Sequence, residues 1–198
     1  MKIISAVGIE QRRGSAMVLG PLDLELEAGE RLAVLGENGA GKTTLLRILA
    51  TLDTPLHGEL RLWGSEVGSN RPQLRSCLGY LGHQLGLTPM LTALENLEFF
   101  AMLYGLDLDR GAEALERVGL ARSAGRRVVE LSRGMQQRLA LARTVMHDPQ
   151  LLILDEPDSS LDTAGEELLA ELITGRSLVL ATHNRALADR LTDRQLAL

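Results

Sequence analysis

Short apolar runs separated by glycine-punctuated polar stretches occupy both ends of the chain, and a longer helical rhythm fills the middle. Residues 3–7, 22–26, 31–35, 59–62, 78–81, 151–154 and 178–181 read as strands, because each run is brief, apolar and bounded by turn residues. Turns at Gly29-Glu30, His57-Gly58 and Gly64 punctuate the first half. From about residue 88 to residue 147 the period lengthens, and Leu91, Leu94, Leu97 and Met102 are spaced for one helical face. This pattern predicts an α/β core of residues 1–87 and 148–198, with residues 88–147 inserted as a helical subdomain. No internal repeat or low-complexity linker interrupts it.

Between the apolar run 31–35 and a predicted helix over 43–51 lies GENGAGKTT, residues 36–44. Gly36, Gly39 and Gly41 let the backbone curl, so that N–H groups of Gly36, Glu37, Asn38, Gly39, Ala40, Gly41, Lys42, Thr43 and Thr44 are available to phosphate oxygens. The start of the helix adds the positive end of its dipole. Lys42 is placed to bridge the β- and γ-phosphates of a nucleotide and the Thr43 hydroxyl to ligate Mg²⁺. The chain has two lysines, Lys2 and Lys42, among its 21 Lys and Arg residues. A lysine in so arginine-biased a sequence points to a site needing a compact charge.

The run 151–154 ends in Asp155 and Glu156, which places two carboxylates at the carboxyl end of a buried strand, where open α/β sheets hold their ligands. Asp155 suits Mg²⁺ and Glu156 suits the polarisation of an attacking water. Adjacent carboxylates repel, and a bound cation offsets that cost. In LSRGMQQR, residues 131–138, Ser132 reads as the cap of a helix over 135–146, with Pro149 beyond its end. With Gly134 it forms an anion-binding helix start that lacks a phosphate loop of its own.

These motifs, in this order, resemble the ATP-binding cassette of ABC transporters. The resemblance implies a P-loop NTPase fold of ABC type, with an antiparallel β portion beside the parallel sheet and an inserted helical subdomain. It assigns Gln84, in YLGHQLG, to Mg²⁺ and the attacking water, and to relaying the position of a permease. It makes His183, in VLATHN, the switch histidine that orients the water of Glu156. Asp162, in Ser160-Leu161-Asp162, then belongs to a loop that contacts the partner subunit's site. Ser132 and Gly134 would cap the γ-phosphate of ATP held by a second subunit, in a head-to-tail homodimer. Arg133 and Met135 depart from the usual Leu-Ser-Gly-Gly-Gln, which points to altered closure of that dimer.

A finer similarity is carried by GHQLGLTPMLTALENLEFF, residues 82–100, which resembles the ATPase subunit of the haem exporter of cytochrome c maturation. DEPDSSLD departs from that subfamily, which usually has an aromatic residue where Asp158 stands. The same ATPase type serves ABC-2-type drug or lipid exporters, and non-transport switches use related cassettes. No aromatic residue precedes Trp63, so the base of ATP is expected against the guanidinium of Arg13 or Arg12 rather than a ring. Three of the five aromatic residues, Phe99, Phe100 and Tyr104, fall within residues 88–105. Neighbouring Phe99 and Phe100 cannot share one helical face, so one is expected to be exposed, in a groove for a permease helix.

Composition narrows the partners. A formal charge of −5 without a basic tract argues against nucleic acid, and the lone Cys77 rules out an internal disulfide framework. No apolar run reaches the roughly 20 residues of a membrane-spanning helix. The expected location is therefore the cytoplasmic face of the inner (cell) membrane, held there through permease subunits.

Overall fold

The structure is a computed structural model that describes the backbone of residues 1–198 and the side chains outside 69–71. It divides into two compact units. One comprises residues 1–80, 150–156 and 175–198; the other comprises 81–149 and 157–174. Residues 81–87 and 157–174 thus group with the helical segment.

In the first unit, β1 (Lys2–Arg13), β2 (Ala16–Glu27), β4 (His57–Leu62) and β5 (Ser65–Glu66) form an antiparallel sheet ordered β2-β1-β4-β5. The second sheet holds β3 (Arg31–Leu35), β6 (Leu78–Leu81), β7 (Leu151–Asp155), β8 (Ser177–Ala181) and β9 (Arg194–Ala197), ordered β6-β7-β8-β3-β9. Its pairings β7 with β8, β8 with β3 and β3 with β9 are parallel. All five residues of β7 and all five of β8 are buried, which explains the unbroken apolar runs 151–154 and 178–181 within them. Helix α1 (Lys42–Leu49) lies against β7. Leu45, Leu46, Ile48 and Leu49 join Ile4, Leu26, Ile153 and Val179 in one core. Helix α2 (Val67–Arg75), kinked at Gly68, and helix α7 (Arg185–Leu191) complete this unit.

β1 and β2 are 12 residues each, far longer than their apolar stretches. The pairing shifts between Ala6 and Ile9, where the Gly8 N–H donates to Asp23 Oδ1 at 2.7 Å. A side-chain acceptor thus carries the ladder across a bulge.

The second unit holds α3 (Ala93–Tyr104), α4 (Asp109–Arg117), α5 (Arg133–Val145) and α6 (Thr163–Leu172), with short 3-10 turns at Ala121–Ser123 and Val128–Glu130. Thr92 and Glu95 form a reciprocal capping box that starts α3, and Gly105 ends it. The buried stripe of α3 is Ala93, Asn96, Leu97 and Ala101. Met102, expected on that face, is 62% exposed. It follows Ala101 by one residue, a turn of about 100° around the helix. Buried Asn96 donates to Thr88 O and Thr92 O and accepts from Thr88 N, so the loop before α3 is pinned by one amide. Among the described residues no helix is long and apolar enough to cross a membrane.

Candidate functional site

The loop between β3 and α1 is shaped by its backbone. Gly41 has φ 100°, and a Cβ there would lie 2.4 Å from Val18 O, so any other residue would be both strained and obstructed. Ala40 N donates to Glu37 O at 3.2 Å, which closes the turn. Gly36 and Ala40 are partly buried, Gly41 is buried, and Glu37, Asn38 and Gly39 are exposed. Lys42 is 6% exposed, and its ammonium donates to Gly36 O at 2.8 Å and Glu37 O at 2.9 Å. The loop's own carbonyls therefore hold the lysine in line with the curled backbone. Thr44 is partly buried on the same first turn.

Thr43 is the second residue of α1, and its hydroxyl donates to Asp155 Oδ2, at the end of β7, at 2.7 Å. Asp155 is only 4% exposed. Two hard oxygen donors side by side, one of them anionic, suit Mg²⁺, which takes one or two protein oxygens and completes its shell with phosphate and water. The residues present therefore fit that ion. Among the described residues no cluster of three or more His, Cys, Asp or Glu offers a metal cage. Tyr80 on β6 lies close by, and burial, reinforced by the Asp155 carboxylate, pushes its hydroxyl up from the ordinary value.

Glu156 follows Asp155 with φ 51°, in the left-handed region, while its N–H donates to Ala181 O at 2.8 Å. This turn redirects the chain immediately after the strand. His183, two residues beyond β8, places Nε2 2.9 Å from Glu156 Oε1, so an imidazole protonated at Nε2 donates to the carboxylate. The two side chains are 47% and 32% exposed, which leaves them open to water. Asn184 caps α7 by accepting from Leu187 N at 3.1 Å and so fixes the chain after the histidine. Lys42, Thr43, Asp155, Glu156 and His183 all lie in the first unit.

Arg13 ends β1, exposed, and its charge helps lower the Asp53 carboxyl, a shift due first to the hydrogen bond from Arg47. Arg12 pairs with Glu10 at 3.5 Å.

Gln84, Ser132, Gly134 and Asp162 lie in the second unit. Gln84 is exposed, three residues beyond β6. Ser132 caps α5, where the sequence placed the cap, its hydroxyl accepting from Met135 N at 3.3 Å, and the helix begins at Arg133, two residues before the predicted Met135. Ser160 O backs onto Gly134, where a Cβ would sit at 3.1 Å. Ser132, Gly134, Met135, Arg138, Ser160, Leu161 and Asp162 line a cavity of about 360 Å³. Asp162 Oδ1 accepts from Gly165 N at 2.8 Å and from Arg138 Nη2 at 2.7 Å. The Gly165 amide and then Arg138 hold its carboxyl below the usual range.

Arg138 and Gln137 were not anticipated. Arg138 lies one turn after Gly134 on the same helical face, a spacing that could have revealed it. Buried Gln137 donates to Pro157 O at 2.7 Å and ties α5 to the segment leading to Asp162. An amide within the apolar stripe of α5 was the available signal.

The ABC transporter family profile matches residues 19–159. The chain is 40% identical to cytochrome c biogenesis ATP-binding export protein CcmA 2 of Cupriavidus metallidurans, over 94% of this chain and 92% of that protein. It is 37% identical to Nod factor export ATP-binding protein I of the same organism, over 96% of this chain but only 65% of the relative's length. Among solved structures, the dimeric post-hydrolysis state of the ATP-binding cassette MJ0796 bound to ADP and Pi superposes with a TM-score of 0.89 at 28% identity. That match covers 99% of this chain and 94% of the other. With the phosphate loop, the Asp155-Glu156 strand end and the Ser132 helix start in place, the chain belongs to the ABC transporter family as an ATP-binding cassette.

Proposed function

We propose that this chain is the ATP-hydrolysing subunit of a membrane exporter, acting as a head-to-tail homodimer on permease subunits, and that the cargo is haem for cytochrome c maturation. The observation that carries the reading is the pairing of hydrolytic groups in one unit. Lys42 is held by the loop's own carbonyls, Thr43 sits on Asp155, and His183 touches Glu156. The cavity around Ser132 and Gly134 suits the γ-phosphate of a nucleotide bound by the second subunit.

In the reaction, Glu156 accepts a proton from water as its oxygen attacks the γ-phosphorus, and the bond to the β-phosphate oxygen breaks. His183 holds the carboxylate in position and Lys42 stabilises charge on the transferred group. Thr43 and Asp155 would hold Mg²⁺, with Gln84 assisting as the family resemblance implies, and the ion would supply charge neutralisation at the phosphates. Arg13 faces the base, and Asp162 meets the partner subunit.

The haem reading rests on residues 82–100 and on the identity to the cytochrome c biogenesis relative. Export of another cargo is favoured by Asp158 and by the similar identity to the Nod factor relative. Affinity purification of Glu156→Gln protein from its native membranes with ATP separates the two. Co-purification of a cytochrome c maturation permease supports haem export; another multi-span permease redirects the cargo; absence of any permease defeats the motor reading.

A further inference from the structure

Arg143 lies about three turns along α5 from Ser132, and its guanidinium faces two other parts of the second unit. Its central carbon lies 5.1 Å from the centroid of the Phe100 ring on α3. Its Nη1 would also stand 3.1 Å from a Cβ on Gly86, with Cζ at 3.5 Å. Gly86 has φ 64°, a left-handed turn two residues after Gln84. The guanidinium is therefore close both to an aromatic ring and to the backbone of that turn. Phe100 in turn packs edge-on against Phe99, ring centroids 5.3 Å apart at 80°. Phe99 is 44% exposed, and Met102 and Leu103, on the same face of α3, are 62% and 64% exposed.

A continuous physical path thus runs from an exposed apolar face through Phe99, Phe100 and Arg143 to the turn at Gly86. We propose that Arg143 is a positioning residue that holds the Gln84 loop in register and links it to the state of the Phe99 face. The proposal rests on the permease-motor reading for what occupies that face. Its mechanical claim concerns the second unit alone.

Side-chain chemistry fits the role. A guanidinium is planar and carries several nitrogens, so it can lie over a ring and still reach a neighbouring turn. A lysine ammonium can sit over the ring but, as a single charged nitrogen, does not also reach the turn at Gly86. Arg143 Nη2 also reaches the Thr144 hydroxyl at 3.3 Å, which steadies the plane. The cost of holding Gln84 elsewhere falls on hydrolysis rather than on nucleotide affinity, because the phosphate loop around Lys42 belongs to the other unit.

The test compares Arg143→Met, Arg143→Lys, Phe100→Leu and the Arg143→Met/Phe100→Leu double variant in the full chain. Amide exchange of residues 82–88 is measured alongside KM for ATP and kcat. Expected is a tenfold or greater rise in exchange at 82–88, with α3 and α5 protection unchanged. The expected kcat falls at least fivefold while KM stays within about twofold, and Arg143→Lys restores neither. The double variant should be no worse than the worse single one. Unchanged exchange at 82–88, or effects that multiply in the double variant, would overturn the clamp. If Arg143→Met fails to fold, Phe100→Leu, which keeps apolar bulk, carries the same exchange comparison. A wild-type chain without hydrolysis would sink the motor reading, while the exchange arm still decides the clamp.

Discussion

Glu156 combines a proposed catalytic role with an unfavourable backbone, and substitution separates the two. Its φ of 51° puts a non-glycine residue in the left-handed region. That conformation costs an L-residue about 1–2 kcal/mol. Glycine escapes the cost but gives back about 0.5–1 kcal/mol through the extra freedom of its unfolded chain. Glu156→Ala and Glu156→Gly both remove the carboxylate and its 2.9 Å contact with His183, so that loss cancels between them. Taking the midpoints of the two ranges leaves about 0.75 kcal/mol in favour of glycine, within limits of about 0 to 1.5 kcal/mol. For a chain of this size it corresponds to a melting temperature higher by about 1–4 °C. Phosphate release should fall in both variants by about 10²–10⁴-fold, the range for loss of a general base. Differential scanning calorimetry and a phosphate-release assay on the same preparations make the test. An alanine variant melting at or above the glycine variant would refute the strain argument. Retained hydrolysis in either would refute the base assignment.

Two further outcomes follow from local chemistry. Arg47 donates to Asp53 through two nitrogens at 2.7 and 2.9 Å and, chiefly through that hydrogen bond, holds its carboxyl below the ordinary 3.8. A depressed carboxyl stabilises the fold above its unfolded value and loses that contribution as pH falls through the lower folded value. Melting curves of wild type and Arg47→Met should therefore differ above about pH 4 and converge in stronger acid. The gap should stay under about 1 kcal/mol because both side chains are more than a third exposed. Parallel curves down to pH 2.5 would remove the pair from the stability account. Separately, if Arg13 rather than a ring faces the base, as proposed, GTP should compete with ATP within about tenfold, an estimate from the modest worth of a guanidinium stack. A hundredfold preference for ATP in a competition assay would show that the base is read by other contacts.

The chain's buried elements were legible because their surroundings are uniform. β3 and β6 match the apolar runs residue for residue, and β7 and β8 exceed them by one residue each. Burial on both faces leaves no polar interruption to blur such strands. The antiparallel hairpin was underread, since the outer parts of β1 and β2 are held by backbone pairing rather than apolar content. β9 was missed for the same reason: Arg194, Gln195 and Ala197 are exposed, and only Leu196 is partly buried. Helix α2, with Gly68 and Pro72 inside it, carries no readable period.

Site chemistry divided along similar lines. Lys42, Thr43, Asp155 and Glu156 stood out because the proposed phosphate and metal binding needs fixed residue types at fixed spacing, and they lie in one unit. Phe99 met the expectation of one exposed aromatic, whereas the inward place of Phe100 depended on Arg143, 43 positions later. Arg138 and Gln137 serve through partners brought near by folding, which local pattern does not encode.

The central claim is that two copies of this chain close around ATP, with the Ser132 helix start of one completing the Lys42 loop of the other. Sedimentation velocity of Glu156→Gln protein, with and without Mg-ATP, measures it most directly. The account predicts a monomer that becomes a dimer only with nucleotide, and a Ser132→Arg/Glu156→Gln protein that binds ATP yet stays monomeric. A Glu156→Gln protein that binds ATP and remains monomeric at every concentration, or a Ser132→Arg change without effect on dimer formation, would contradict it.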